Sequence, residues 1–181
     1  MRLLVLLALP MAPVDAAVLA ALEKKVDPRS CMGTWFVQQQ IPALALLEDG
    51  ARNGVEEYTW DEENGHFSVR YTFSRSGGDA KMTVSQRGWI ASENPLGTRW
   101  EVAPVLPIFG RSVCLPVRLP FIVIDVDPDA YLICSGGLTS WLYILTRERQ
   151  PAGSLTSACL ATVEAAGFDM QRLQAVEHDP E

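Results

Sequence analysis

Residues 31–42 have the sequence CMGTWFVQQQIP, and the fold is inferred outward from this stretch. Gly33 allows a sharp turn of the chain. The period-two alternation that follows places four side chains on one face of a strand, namely Trp35, Val37, Gln39 and Ile41. A tryptophan at the first inward position is suited to plug one end of a small barrel. Arg147, at the end of the last strand-like run, is of the right type to stack on this indole, which contributes roughly 1–2 kcal/mol.

Alternating runs further along the chain predict the other strands. Residues 55–60 and 67–73 flank a turn with Asn64-Gly65, the strongest short-range signal for a hairpin. In the second run the apolar side chains share one face and the polar side chains the other, as a barrel wall requires. Further strands are predicted at 81–91, 98–102, 121–126, 131–134 and 139–147, with a bulge or corner at Gly88. The predicted fold class is all-β, an eight-stranded up-and-down antiparallel barrel with short connections.

Segments outside the barrel wall are also predicted. A C-terminal helix from Ser154 to about Ala166 is expected to pack on the outside of the wall, since its apolar stripe comprises Leu155, Cys159, Val163 and Ala166. A short helix is expected at 18–25 and a final short strand within 168–176. Residues 178–181 are expected to be frayed.

The inward faces of these strands define candidate ligand contacts. They are Val37, Gln39, Phe67, Val69, Tyr71, Phe73, Val84, Trp89, Trp100, Phe121, Val123, Trp141 and Tyr143. An aromatic-lined, dry cavity with few polar groups suits an acyl chain, a sterol, a retinoid, a carotenoid or a tetrapyrrole. The alternative for each residue is that it simply packs in the core. A bulge also reverses which side chains of a strand face inward.

Length and charge limit the classes of partner. A chain of 181 residues with 48% hydrophobic content is large enough for one domain with a sizeable core. A net charge of -7 argues against nucleic acid, which needs clustered lysine and arginine. The same charge gives no general attraction to anionic lipid headgroups, so contact with a membrane surface would be made by apolar side chains.

The first 16 residues are typical of a signal peptide. Arg2 supplies a positive start, residues 3–11 an apolar core, and Val14-Asp15-Ala16 a small-residue cleavage site. Cleavage after Ala16 would leave one domain, residues 17–181. This domain would be secreted, retained in the endomembrane system or, in an alga, directed to a plastid. The alternative is an uncleaved start that lies along the barrel.

Two connections at the predicted open end are unusually apolar. The first carries Leu44, Leu46 and Leu47, and the fifth, within 102–119, carries Leu106, Ile108 and Phe109. Exposed apolar surface costs about 25 cal/mol per Å², so such loops usually have a partner. One hypothesis is that they gate the ligand and dip into a membrane surface. The other is that they fold back over the mouth and bury themselves.

The residues with catalytic or metal-binding chemistry are few. Four cysteines, Cys31, Cys114, Cys134 and Cys159, permit two disulfides in three connectivities. The two histidines, His66 and His178, are expected in a closed-end turn and in the tail, which disfavours a zinc site or a serine-histidine-aspartate arrangement. Asp125 and Asp127 resemble paired carboxylates, but a turn aspartate more simply caps backbone amides. We therefore expect no enzymatic activity, no cofactor and no metal.

Three motifs, taken together, resemble those of the lipocalin family. Its first motif is Gly-x-Trp, matched by Gly33 and Trp35, and its last strand ends in an arginine packed on that tryptophan, matched by Arg147. An acidic residue and a tyrosine before the seventh strand are matched by Asp129 and Tyr131. The resemblance implies a barrel that binds or transports a small hydrophobic ligand without chemistry. A Cys134–Cys159 bridge from wall to helix would follow the habit of lipocalins.

Within the family the sequence most resembles the group of bacterial lipocalin, apolipoprotein D and the plant temperature-induced lipocalins. This likeness runs from about residue 26 to 173, and its segments are 32–35, 41–42, 106–108, 141–147 and 167–173. It implies a membrane-associated proline-rich loop and protection of membrane lipids from oxidation. The insertion at 110–119 departs from that group and changes this loop.

Two other functions compete with ligand binding. One is an enzyme on the same fold, since a few lipocalins isomerise lipids or de-epoxidise carotenoids. Cys114 and Cys134 are the best candidate thiols here, but they do not match the cavity cysteine of lipocalin prostaglandin synthases. The other is a membrane-surface or partner-binding module whose barrel is filled by its own side chains.

Overall fold

A computed structural model describes residues 20–75, 78–136 and 140–180 of the chain. The predicted signal peptide lies outside the described residues. Ten strands form one antiparallel sheet: β1 Gly33–Ile41, β2 Ala51–Asp61, β3 His66–Arg75, β4 Gly78–Ile90, β5 Arg99–Ile108, β6 Arg111–Cys114, β7 Leu119–Asp127, β8 Tyr131–Ser135, β9 Leu142–Thr146 and β10 Gln174–Ala175.

Eight of these strands close into a barrel. Their order is β1-β2-β3-β4-β5-β7-β8-β9, and β9 pairs with β1 to complete the ring. Each strand therefore pairs with its sequence neighbour in the wall, with β6 as a side branch, which confirms the predicted up-and-down barrel. The hairpin between β2 and β3 also follows the prediction, and its turn is fixed by Asp61, whose side chain accepts from the Asn64 amide at 3.0 Å.

The fifth strand is longer than the sequence predicts. The fifth connection is expected within 102–119, but β5 continues to Ile108 and turns back as β6, with Pro107 opposite Ser112. This hairpin leaves the barrel wall, so Pro107 occupies an edge position where its missing N–H is tolerated. The Leu115 amide donates to the Pro104 carbonyl at 2.9 Å and holds the base of the hairpin.

A bulge in β1 changes which glutamine faces inward. The pairing of β1 with β9 shifts register between Val37 and Gln39. Trp35 and Val37 belong to the inner core as predicted, but beyond the bulge Gln40 takes the inward position and Gln39 pairs with the C-terminal strand outside. The prediction that Gln39 faces inward is wrong, because an extra residue reverses the alternation. Ile41 likewise packs in the outer cluster.

Gly88 is a point of close approach between strands. A Cβ atom there would lie 2.2 Å from the Phe67 ring, so the glycine makes room for an inward-facing phenylalanine. The neighbouring Trp89 consequently points outward, where the Arg118 guanidinium carbon lies 3.2 Å from its ring centroid. The prediction that Trp89 lines the interior is wrong.

The C-terminal part packs on the outside of the wall. A short helix, α1 Ala45–Glu48, lies in the first connection, and α2 spans Gly153–Ala165. Cys159 and Val163 of α2 are buried in an outer cluster with Ile133 and Ile144, which confirms the predicted position of α2. The tail is not frayed at His178, because the ring of this residue lies 2.8 Å from the Val37 carbonyl.

The N-terminal segment crosses the closed end of the barrel. Residues 20–25, expected to be helical, are irregular, and the first helical turn is the 3₁₀ turn Pro28–Cys31. The Leu22 amide donates to the Val123 carbonyl at 2.9 Å, and the Val26 amide to the Leu96 carbonyl at 2.8 Å. These bonds with other parts of the barrel replace the local ones of a helix.

Candidate functional site

The closed end of the barrel is held by Trp35 and Arg147. The Arg147 guanidinium carbon lies 3.5 Å from the Trp35 ring centroid, and the indole N–H donates to the Cys31 carbonyl at 2.8 Å. Gly33 has a φ of 99°, and a Cβ atom on it would lie 3.3 Å from an Arg147 nitrogen. The positive φ favours glycine, and an added Cβ atom would crowd the guanidinium, so the motif is a structural floor.

The turn before β8 supports this floor. The Asp127 side chain accepts from the Asp129 amide at 3.1 Å, and the Arg147 side chain donates to the Pro128 carbonyl at 2.8 Å. Tyr131 faces outward and donates to Asp125 at 2.9 Å. Asp129 itself is exposed. Asp127 therefore caps a backbone amide of this turn, as the sequence predicts, while Asp125 within β7 holds the Tyr131 hydroxyl.

A continuous chain of eight aromatic rings lines the interior. Successive ring centroids lie between 4.7 and 6.1 Å apart, within the range of favourable aromatic pairs. The order of the rings is Tyr58, Phe67, Trp100, Phe121, Trp141, Tyr143, Tyr71 and Phe73. All except Tyr58 were among the candidate contacts. Val37, Val69 and Val123 also belong to this inner core, and the partly buried Val84 packs against it.

The interior is more polar than the sequence predicts. Tyr71 donates to the Gln40 side-chain oxygen at 3.1 Å, and the Gln40 amide donates to the Glu48 carbonyl at 3.1 Å. The Tyr143 hydroxyl donates to the Glu48 carboxylate. Burial raises the pKa of Glu48, while the bond from Tyr143 opposes this shift. These bonds hold α1 over the open end of the barrel.

A second buried carboxylate, Glu56, lies deeper in the barrel. It pairs across the sheet with Trp35 on one side and with Tyr71 on the other. Tyr58 donates to it at 2.6 Å. Burial raises the pKa of Glu56 to about 7, and the charge of Glu48 adds to this shift. Glu48, Glu56, Gln40, Tyr58, Tyr71 and Tyr143 are referred to below as the polar cluster.

Neither Glu48 nor Glu56 was among the residues predicted to face the interior. Glu48 lies in a stretch, Glu48-Asp49-Gly50, that has the composition of an exposed loop. Glu56 could have been found, because Tyr58 and Trp60 follow it at period two on the face that becomes the interior.

The connections at the open end expose apolar side chains. Phe109 is 100% exposed and Leu46 is 82% exposed, and Leu44, Leu47, Ile108 and Val113 are also exposed. Leu106 is half-buried. Phe109 and Gly110 both have positive φ at the tip of the β5–β6 hairpin. The first connection thus places its glutamate inside the barrel and its leucines outside, and neither connection buries its apolar residues over the mouth.

The cysteines are free thiols in this structure. Cys134 belongs to the inner core and Cys159 to the outer cluster under α2, so the bridge that the resemblance to lipocalins suggested is not formed. Burial raises the pKa of Cys31 to about 11 and that of Cys134 well above its usual range, which disfavours reactive thiolates. Within the described ranges, no three His, Cys, Asp or Glu side chains are grouped to hold a metal ion.

Two open depressions lie on the surface, outside the barrel. One, at the closed end, is lined by Val26, Arg29, Trp60 and Pro95 among others, and the second by residues of the C-terminal tail. Arg29 at the first already pairs with Glu62 at 2.9 Å. The barrel interior is the better candidate site, because it combines enclosure with convergent polar groups.

The family model for the lipocalin-like domain matches residues 26–178. The chain belongs to the lipocalin family. A comparison with curated protein sequences finds no significant match. No helix in the described part of this lipocalin is long and apolar enough to cross a membrane.

Solved structures with the same fold are distant in sequence. Insecticyanin from the tobacco hornworm Manduca sexta is 16% identical, with a TM-score of 0.63 over 94% of this chain and 87% of that one. The allergen Per a 4 from cockroaches is 14% identical, with a TM-score of 0.64 over 92% of this chain and 97% of that one. Lobster apocrustacyanin A1 is 15% identical, with a TM-score of 0.60 over 84% of this chain and 79% of that one. At these identities the likeness concerns the fold.

Proposed function

We propose that this lipocalin binds and carries a small, largely apolar ligand inside its barrel. The observation that carries the proposal is the chain of eight aromatic rings from Tyr58 to Phe73. Moving an apolar molecule from water onto such rings contributes about 25 cal/mol per Å² of buried apolar area. The polar cluster supplies the few directional groups that orient a ligand.

Access to the interior is controlled by the first connection. The rings already pack against one another, and Glu48 of α1 is buried beneath the mouth through its bonds with Tyr143 and Gln40. We infer that a ligand enters when α1 swings away and these two bonds break. No bond of the ligand is made or broken in this mechanism.

The test compares two tryptophan substitutions on neighbouring positions of β4. Val84→Trp fills the interior, because Val84 packs against the inner core, whereas Thr83→Trp adds the same side chain on the exposed face. Titration with N-phenyl-1-naphthylamine, a neutral apolar dye, measures binding. We expect Val84→Trp to weaken binding at least about tenfold and Thr83→Trp to retain it. Equal binding by the two variants, or no binding by the unmodified chain, would contradict the proposal.

A second candidate function is contact of the β5–β6 hairpin with an apolar surface. The conformation of Phe109 favours this function, because a fully exposed phenylalanine with positive φ costs stability and has no compensating contact among the described residues. Flotation with phosphatidylcholine vesicles tests this function. Phe109→Asn should lose the bound fraction, while Ser112→Asn on the same hairpin should keep it. A chain that does not float has no such contact.

A further inference from the structure

Glu56 is an acid that the barrel does not neutralise. Its side chain faces the interior and only 6% of the residue is exposed. Tyr58 is the one hydrogen-bond donor found for it among the described residues. The ion pairs in the described part of the chain all involve other acidic side chains, so no lysine, arginine or histidine there compensates Glu56. A buried carboxylate is normally paired or protonated.

The rest of the polar cluster offers acceptors. The hydroxyl hydrogens of Tyr58, Tyr71 and Tyr143 are donated to Glu56, Gln40 and Glu48 respectively. The oxygens of Tyr58 and Tyr71 and the Glu56 carboxylate therefore remain as acceptors, while the three hydroxyl donors are already used. The Tyr143 oxygen already accepts from the Ala43 amide at 3.4 Å, and Glu48 also accepts from the backbone N–H groups of the two residues before α1. Tyr143, Glu56 and Tyr71 are buried, with 7, 6 and 4% of each residue exposed.

This set of groups discriminates between ligand head groups. A carboxylate would be repelled by Glu48 and Glu56 and would find few donors. A hydroxyl leaves Glu56 without a counter-charge. A protonated amine supplies up to three donors and no acceptor, together with the missing positive charge. Its apolar body would lie along the aromatic rings.

Resting on the proposed function, we propose that the ligand is an apolar amine whose ammonium group pairs with Glu56. Glu48, Tyr71 and Tyr143 surround the same head group, and Glu48 couples its arrival to the position of α1. The pH dependence has a definite sign. Below about pH 7 Glu56 is protonated and the preference for an amine fades, since burial raises the pKa of this carboxyl to about 7.

The test is calorimetric titration of the full chain with decylamine, decanol and decanoate. The variants are Glu56→Gln and, as a matched control, Glu57→Gln, whose side chain lies on the outer face and pairs with Arg70. At about pH 8 we expect decylamine to bind at least roughly tenfold more tightly than decanol, with decanoate weakest. Glu56→Gln should bring decylamine and decanol within about twofold of one another, and Glu57→Gln should keep the preference.

The outcomes separate this inference from the proposed function. Equal binding of the three probes, tighter binding of decanoate, or a preference that survives Glu56→Gln overturns the amine inference and leaves ligand binding in place. Failure of all three probes and of the neutral dye overturns both. A preference that disappears equally in Glu57→Gln also overturns the inference, because it would reflect surface charge.

Discussion

The guanidinium carbon of Arg147 lies 3.5 Å from the centroid of the Trp35 ring, and the same group donates to four backbone carbonyls. The carbonyls belong to Ser30, Met32, Thr34 and Pro128. A single planar cation therefore joins the 3₁₀ turn, the start of β1 and the turn before β8. This arrangement needs the fork of an arginine, which a lysine cannot reproduce.

Arg147→Lys should destabilise the chain by roughly 2–3 kcal/mol, because the carbonyls lose their donors while the charge is kept. Arg118→Lys is the matched control, since Arg118 also stacks on a tryptophan, Trp89, but on the exposed surface. We expect it to cost less than about 0.5 kcal/mol. Urea denaturation measures both, and equal losses would show that stacking alone holds the floor.

Gly88→Ala should destabilise the barrel by about 1–3 kcal/mol, because the new methyl group would lie 2.2 Å from the Phe67 ring. Gly153→Ala is the control, since nothing lies within 4 Å of the added methyl and the φ of this residue is not positive. It should leave stability unchanged or slightly higher. Thermal unfolding followed by circular dichroism compares the two. A neutral Gly88→Ala would contradict the inward position of Phe67.

Glu56 should make stability fall as pH rises. Its pKa is about 7 in the folded chain against 4.5 as the reference value, so the folded state holds the proton more tightly. This contribution to stability is therefore full below about pH 4.5, and roughly 3 kcal/mol of it is lost as the pH rises from about 4.5 to just above 7. Glu56→Gln should remove this decline and be the more stable protein at about pH 8, while Glu57→Gln should follow the unmodified chain. Urea denaturation at a series of pH values measures this. If the free energy of unfolding depended on pH in the same way in the unmodified chain and in Glu56→Gln, the burial of the Glu56 carboxyl would be refuted.

Phe109→Asn should raise the free energy of unfolding by about 0.5–1 kcal/mol. Asparagine tolerates the positive φ of 49° better than phenylalanine, and the replaced ring has no buried contact to lose. Ser112→Asn should have no comparable effect. A loss of stability in Phe109→Asn would mean that the ring packs within the chain.

Periodicity predicted most of the inner wall. In β3 the alternation is uninterrupted, so Phe67, Val69, Tyr71 and Phe73 all face inward as expected. It failed in β1 and β4 for local reasons. In β1 a bulge turns Gln40 inward in place of Gln39. In β4 Val84 and Gly88 face inward, so the neighbouring Trp89 faces outward.

Of the polar cluster, Tyr71 and Tyr143 were predicted to face inward, whereas Glu48, Glu56, Gln40 and Tyr58 were not predicted. Glu48 is buried only because α1 folds over the mouth, and a contact between a connection and β9 leaves no pattern in either segment. The family was visible because its motifs describe the floor, where Trp35 and Arg147 meet. The likeness to the apolipoprotein D group, the predicted signal peptide and the membrane role remain predictions.

The most direct measurement is native mass spectrometry of the protein purified from its own source, followed by solvent extraction. Ligand binding in the barrel predicts one small apolar molecule per chain, released on unfolding and absent from Val84→Trp prepared in the same way. A chain that carries no such molecule and that also fails to bind the neutral apolar dye would contradict it.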